Sequence, residues 1–132
     1  MFTAAAEEVM FFEKSAGALA LYEAFAGKVM ETFPNTAKKV QKTQVTFSNR
    51  HVYACVSLLR VLKKAQLPEP YIVVTLGLSY PLASPRVAAR VEPYPGRWTT
   101  HIVVGSAEEV DDELLGWVRE AYEFAESKGE RY

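Results

Sequence analysis

The sequence predicts an α+β fold, a largely antiparallel sheet of about five strands with N-terminal and C-terminal helices packed on one face. Three observations lead there. Helical apolar periodicity is confined to the two ends of the chain, whereas residues 43–104 hold short β-branched and aromatic runs separated by Pro- and Gly-bearing connections. At 132 residues and 49% hydrophobic, residues 1–132 suit one domain, a size that buries roughly two-thirds of its unfolded surface.

The first helical pattern covers residues 3–13 and the second residues 16–33, where Pro34 halts it because a proline cannot supply the next amide. In the second, Leu19, Tyr22, Ala26, Val29, Met30 and Phe33 form one apolar stripe that needs a sheet to cover. The strands are expected at residues 43–47, 52–57, 71–78, 86–92 and 97–104, with connections at 67–70 and 80–85. Ser106 and Glu109 have capping-box spacing, so a C-terminal helix is expected to begin there. Val110, Leu114, Trp117, Val118, Ala121, Tyr122 and Ala125 share its inner face, and Lys128 with Gly129 offers a stop. Asp111, Asp112 and Glu113 read as carboxylates favoured by the helix dipole rather than as a metal or acid/base cluster.

The net charge of −1 conceals segregation. Between residues 35 and 68 there is no acid, but there are Lys38, Lys39, Lys42, Arg50, Arg60, Lys63 and Lys64. From Glu108 onward acids dominate. The balanced total argues against a general polyanion binder; a nucleic-acid role would depend on Lys38, Lys39, Lys63 and Lys64 and weaken steeply with salt. No apolar run is long enough to span a bilayer, and Glu7 and Glu8 interrupt what would be a signal-peptide core. Cys55 stands alone, which excludes an intrachain disulfide and suits a reducing, cytoplasmic setting.

Strand alternation then selects a candidate site. A hairpin across residues 93–96 sets Glu92 opposite Arg97, Arg90 opposite Thr99 and Ala88 opposite His101 on one face. Val91 with Trp98, Ala89 with Thr100, and Val87 with Ile102 then lie beneath the helices. A four-residue loop at 48–51 puts Val45, Phe47, Val52, Ala54 and Val56 inward, and Lys42, Gln44, Thr46, Tyr53 and Cys55 outward. The face without helices is thus expected to gather Lys42, Gln44, Tyr53, Thr75, Arg90, Arg97, Thr99 and His101. Guanidinium and ammonium groups beside Gln, Thr, Tyr and neutral His suit an anionic small molecule or acidic group. The plainer alternative is a Glu92–Arg97 cross-strand pair on an exposed face.

Catalytic signatures are weaker. His51, Cys55 and His101 are metal-ligand types, but residues four apart on a strand lie about 13 Å from each other, too far for one zinc ion. No nucleophile elbow or Gly-rich phosphate loop is present, and no cofactor is implied. His101 beside Arg97 would be the proton carrier and charge stabiliser of a hydrolase or transferase acting on an anionic substrate. The leading expectation is a noncatalytic binding module. A second copy covering the open face is the self-association alternative.

The motifs Lys42-Thr43-Gln44 with Phe47, Ser84-Pro85-Arg86, Pro95-Gly96-Arg97-Trp98, His101, Asp112-Glu113, Gly116-Trp117 and Arg119-Glu120-Ala121-Tyr122 occur in a distinctive order. From about residue 11 to 128, including Leu21-Tyr22-Glu23-Ala24, the chain resembles the bacterial domain-of-unknown-function family numbered five-six-five-five. The resemblance carries over Lys42, Gln44, Arg86, Arg97 and His101 and implies a shared ligand surface that includes Arg86. It brings no substrate, reaction or cofactor. The family pattern commonly has two consecutive histidines after Arg-Trp; here Thr100 stands at the first and His101 at the second, which weakens any role needing paired imidazoles.

Overall fold

The computed structural model describes residues 2–127. Its elements run α1 (Ala6–Phe11), α2 (Ala18–Thr32), β1 (Ala37–Val40), β2 (Val45–Ser48), β3 (Val52–Ser57), β4 (Ile72–Leu78), β5 (Val87–Tyr94), β6 (Arg97–Val104) and α3 (Asp112–Ser127), with 3-10 turns at Phe12–Lys14, Lys64–Gln66 and Ala107–Glu109. The six strands form one antiparallel sheet in the order β1-β2-β3-β4-β6-β5. The sixth strand is β1, at residues 37–40, which lies ahead of the first expected strand at 43–47 and outside every expected element. Residues 41–44 close a hairpin through Gln41 N donating to Gln44 O at 2.8 Å, so Lys42 and Thr43 sit in a turn. No described helix is long and apolar enough to cross a membrane.

The helices cover one face of the sheet. From α2, Leu21, Tyr22, Phe25, Ala26 and Val29 are buried; from α3, Leu114, Val118, Ala121 and Ala125; from the sheet, Val45, Phe47, Val56, Val74, Leu76, Ile102 and Val104. These periodicities, near 3.6 residues in the helices and 2 in the strands, let both layers turn apolar sides inward. Phe25 meets Phe47 edge-on at 5.7 Å, and each such large side chain contributes about 1.5–3 kcal/mol by leaving water. Phe33 stacks on Tyr122 at 4.4 Å, and Lys28 Nζ donates to Val110 O at 2.7 Å, joining the end of α2 to α3 and to its entry.

The N-terminal helix is shorter than its pattern and is clamped by one buried acid. Glu8 accepts hydrogen bonds from the Tyr22 hydroxyl, from Ala5 N at 2.7 Å and from Lys38 Nζ at 2.9 Å. A carboxylate that is only 3% exposed needs such partners, because burying it unpaired costs several kcal/mol, on the order of its lost solvation. At the other end, Glu109 Oε1 accepts from Ser106 N at 3.0 Å and Gly105 N at 2.6 Å, so the expected cap closes the 3-10 turn. α3 begins one turn later, with Asp111 Oδ1 accepting from Leu114 N at 3.0 Å. The stop expected at Lys128 and Gly129 lies outside the described residues.

Both hairpins depart from their expected registers, and both departures move side chains between faces. In β2–β3, Phe47 pairs with Ala54 but Ser48 pairs with Val52, leaving Tyr53 as an extra residue. Tyr53 is buried and Val52 is 48% exposed, the reverse of simple alternation. The tyrosine is held inside by its hydroxyl hydrogen-bonded to Thr36 at 2.7 Å and by its ring edge-on to Phe33 and Tyr122. In β5–β6 the loop is the two-residue turn Pro95-Gly96, with Tyr94 paired to Arg97 and Gly96 at φ 76°, where glycine avoids a Cβ clash. Irregularities within β5 then set Val91 opposite Thr99, Arg90 opposite Thr100 and Ala89 opposite His101.

Candidate functional site

On the face away from the helices, Thr46, Cys55, Thr75 and His101 are register partners across β2, β3, β4 and β6 and form a row through the middle of the sheet. Beside it, Gly77 pairs with Thr99. Gly77 lies inside a central strand, and a Cβ placed there would meet nothing within 4 Å. The missing side chain opens the floor of a trough of about 370 Å³ lined by Gln44, Cys55, Ser57, Thr75, Thr99 and His101, with Val52 and Leu59 also at its walls. No acidic residue lines it.

His101 is half-buried, and its Nδ1 is 2.8 Å from Thr75 Oγ1. This bond fixes the ring and leaves Nε2 as the nitrogen available to a ligand. Burial pushes the imidazole pKa below its ordinary value, favouring the neutral form. Burial also pushes the Cys55 thiol up to about 11, away from the thiolate that nucleophilic chemistry requires. Arg97 begins β6 on the same face as Thr99 and His101, and a second hollow of about 190 Å³ connects its surroundings to Gly77, Thr99, Tyr94 and Trp98. Among the described residues Arg97 makes no ion pair or side-chain hydrogen bond.

The expected site is therefore only partly assembled. Thr99, His101 and Thr75 share the open face, with Gln44 at the rim, its Nε2 3.2 Å from Gln41 Oε1. Arg97 stands at one end. Lys42 is in the exposed turn before β2 rather than on a strand, so its side chain has no fixed place on the sheet. Tyr53 is among the residues that line the trough, but it is buried, its hydroxyl is hydrogen-bonded to Thr36, and chiefly through burial its pKa is pushed up to about 12. Arg90, opposite buried Thr100, lies on the helix side and donates to Leu82 O at 3.1 Å.

Arg86 is the largest departure. Its Nη1 donates to Asp111 Oδ1 at 2.9 Å and Glu113 Oε1 at 3.1 Å, its Nη2 donates to Glu109 O at 2.6 Å, and the guanidinium lies 5.6 Å from the Trp117 ring centre. Burial works against its charge, but the hydrogen bonds and charges of Asp111 and Glu113 prevail and raise its pKa. Asp111 is lowered first by the Leu114 amide and then by Arg86. This arginine locks the start of β5 to the start of α3, with Nη1 and Nη2 engaged by protein acceptors away from the sheet trough. The acidic turn at 111–113 is structural, as its place at a helix start suggested.

Gly77 is the site residue that sequence reasoning missed. The signal was there, since a glycine inside a β-branched run marks a bulge or a close approach to the backbone. Thr100, at the first position of the paired-histidine pattern, faces the helix side with a buried, unpartnered hydroxyl. Positions 100 and 101 thus point to opposite faces and cannot jointly hold one ion. Among the described residues no three His, Cys, Asp or Glu side chains converge as metal ligands.

This geometry defines a class: a two-layer α+β domain with one face of an antiparallel sheet sealed by helices and the other left open over a glycine-floored trough. The chain belongs to the family described as Domain of unknown function (DUF5655), whose profile matches residues 8–125. Neither the curated proteins nor the solved structures contain a match to the chain.

Proposed function

We propose that the domain is a noncatalytic binding module whose open sheet face takes a small ligand bearing a carboxylate or comparable acidic group. The observation that carries this reading is Gly77. A central-strand glycine weakens the sheet and is favoured where another molecule must approach the backbone. It has no packing neighbour to explain it. Thr99, the His101 Nε2 and Gln44 supply hydrogen-bonding groups around the hollow, and Arg97 supplies an uncommitted guanidinium at its end. The absence of an acid from the lining removes the charge that would repel such a ligand. The noncatalytic reading is favoured by the raised thiol of Cys55, the one soft nucleophile in the row. A cytoplasmic setting belongs to the same proposal and accords with that lone thiol.

Carboxylate-bearing fragments and their matched carboxamides, titrated into labelled protein and followed by NMR, test the reading. The carboxylates should shift the resonances of Gly77, Thr99 and His101, and Gly77→Val should abolish the effect while the fold is retained. Arg97→Ala should weaken binding roughly tenfold, the usual scale of a lost charge-assisted hydrogen bond. Equal affinity in parent and Gly77→Val would remove the trough from consideration. A second copy of the chain is the competing occupant of this face; light scattering over a concentration series separates the two, since a strict monomer leaves the trough accessible.

A further inference from the structure

The connection from β3 to β4, residues 58–71, carries Arg60, Lys63 and Lys64 on one short loop and has Glu69 as its one acid. The Tyr71 hydroxyl donates to Leu58 O at 2.8 Å and closes the loop at its base. Gln66 N donates to Lys63 O at 2.8 Å, while the Gln66 side chain accepts from Lys63 N at 3.3 Å. Two glycines admit its proline-bearing end: a Cβ at Gly105 would lie 2.6 Å from the Pro68 ring, and one at Gly17 would lie 2.8 Å from the Pro70 ring. The loop is thereby pinned to the body of the protein at several points.

Pinned in this way, it forms a concavity of about 300 Å³ lined by Arg60, Lys64, Leu67, Pro68, Glu69 and Tyr71. Among the described residues neither Arg60 nor Lys64 is ion-paired, whereas Arg86 and Lys38 have carboxylate partners. We infer that this concavity is a second ligand site, separate from the sheet trough, for a small phosphate monoester carrying a neutral apolar or aromatic body. A guanidinium fork and a compact ammonium group together match a phosphate dianion. Leu67, Pro68 and the Tyr71 ring supply the apolar wall that such a body needs. Glu69, which also lines the concavity, pairs with neither cation and disfavours a second anionic group, so a neutral body suits the site.

Phenyl phosphate is the probe, titrated into labelled protein at physiological salt beside inorganic phosphate and phenol. Saturable shifts at Lys64, Leu67, Glu69 and Tyr71 are expected, with each half-probe binding at least roughly tenfold more weakly. Arg60→Ala and Lys64→Ala should each weaken phenyl phosphate roughly tenfold, as loss of one charge-assisted contact predicts. Lys63→Ala, whose side chain does not line the concavity, should leave affinity within about twofold. Lack of a saturable shift, shifts centred on Gly77, or an equal loss in Lys63→Ala would each overturn the site. The last result would mark diffuse attraction to a basic loop. Gly77→Val should leave phenyl phosphate binding unchanged, so failure here and failure of the trough are separable.

Discussion

Arg86 and Arg97 stand at opposite ends of the β5–β6 hairpin, and their surroundings make them different kinds of residue. Arg86 meets two carboxylates, a backbone carbonyl and an indole at the corner where β5 joins α3. Arg97 projects from the uncovered side into solvent beside a trough. The contrast extends beyond the pair. On the helix side polar groups are largely matched within the protein, as in the Glu8, Tyr22 and Lys38 cluster; on the open side a glycine, an oriented imidazole and an arginine leave capacity unused. Residue type alone does not distinguish an arginine engaged by the fold from an uncommitted one. Its neighbours do.

The sharpest break of this comparison is substitution at its two poles. Arg86→Met should destabilise the fold by about 1–3 kcal/mol, because a partly buried network loses its centre and Asp111 loses its counter-charge. Arg97→Met should stay within about 0.5 kcal/mol, as exposed strand positions usually do. Urea denaturation of both variants checks the difference, and similar losses would mean that the two corners are not distinct.

At the trough floor, Gly77→Val should stabilise the protein by about 0.5–1 kcal/mol, because a β-branched side chain restrains the unfolded chain and suits a strand. A gain in melting temperature combined with lost ligand binding is the expected signature of a position kept small for function. A marked fall in stability would instead show that Gly77 serves packing.

A smaller effect is expected from pH. Because burial lowers the His101 pKa, its contribution to stability is fully present above the ordinary value of 6.5. As pH falls through that value toward the lower folded-state value, the unfolded chain takes the proton first and stability is lost. Chemical denaturation between neutral and mildly acidic pH should show this loss in the parent and a shallower slope in His101→Gln. Identical slopes would place the imidazole in an unperturbed environment. Smallest of all, Lys42→Ala should alter stability by less than about 0.5 kcal/mol, since its turn is exposed. A larger change would return Lys42 to the set of organised residues.

The sequence made much of this architecture legible. The apolar stripe of α2, the inner face of α3 and the position of β6 follow from periodicities that the structure retains. Thr99 and His101 face away from the core because β6 keeps strict alternation. Tyr53 and Arg90 face the helix side rather than the open one because β2–β3 and β5–β6 contain irregular registers, and an extra residue changes which face the neighbouring side chains take. Lys42 was misplaced because the β1–β2 turn falls within a stretch whose composition reads as strand.

What the sequence determined by itself is therefore local: where helices and strands form, which sides of them are apolar, and that the chain joins end helices to a central antiparallel sheet. The tertiary structure decided the rest. It spent Arg86 on Asp111 and Glu113, turned Tyr53 inward against Phe33 and Tyr122, and left Gly77 at the bottom of a trough. Periodicity is set by backbone geometry within a few residues, whereas a side chain's partners come from segments distant in the chain, and only packing brings those together.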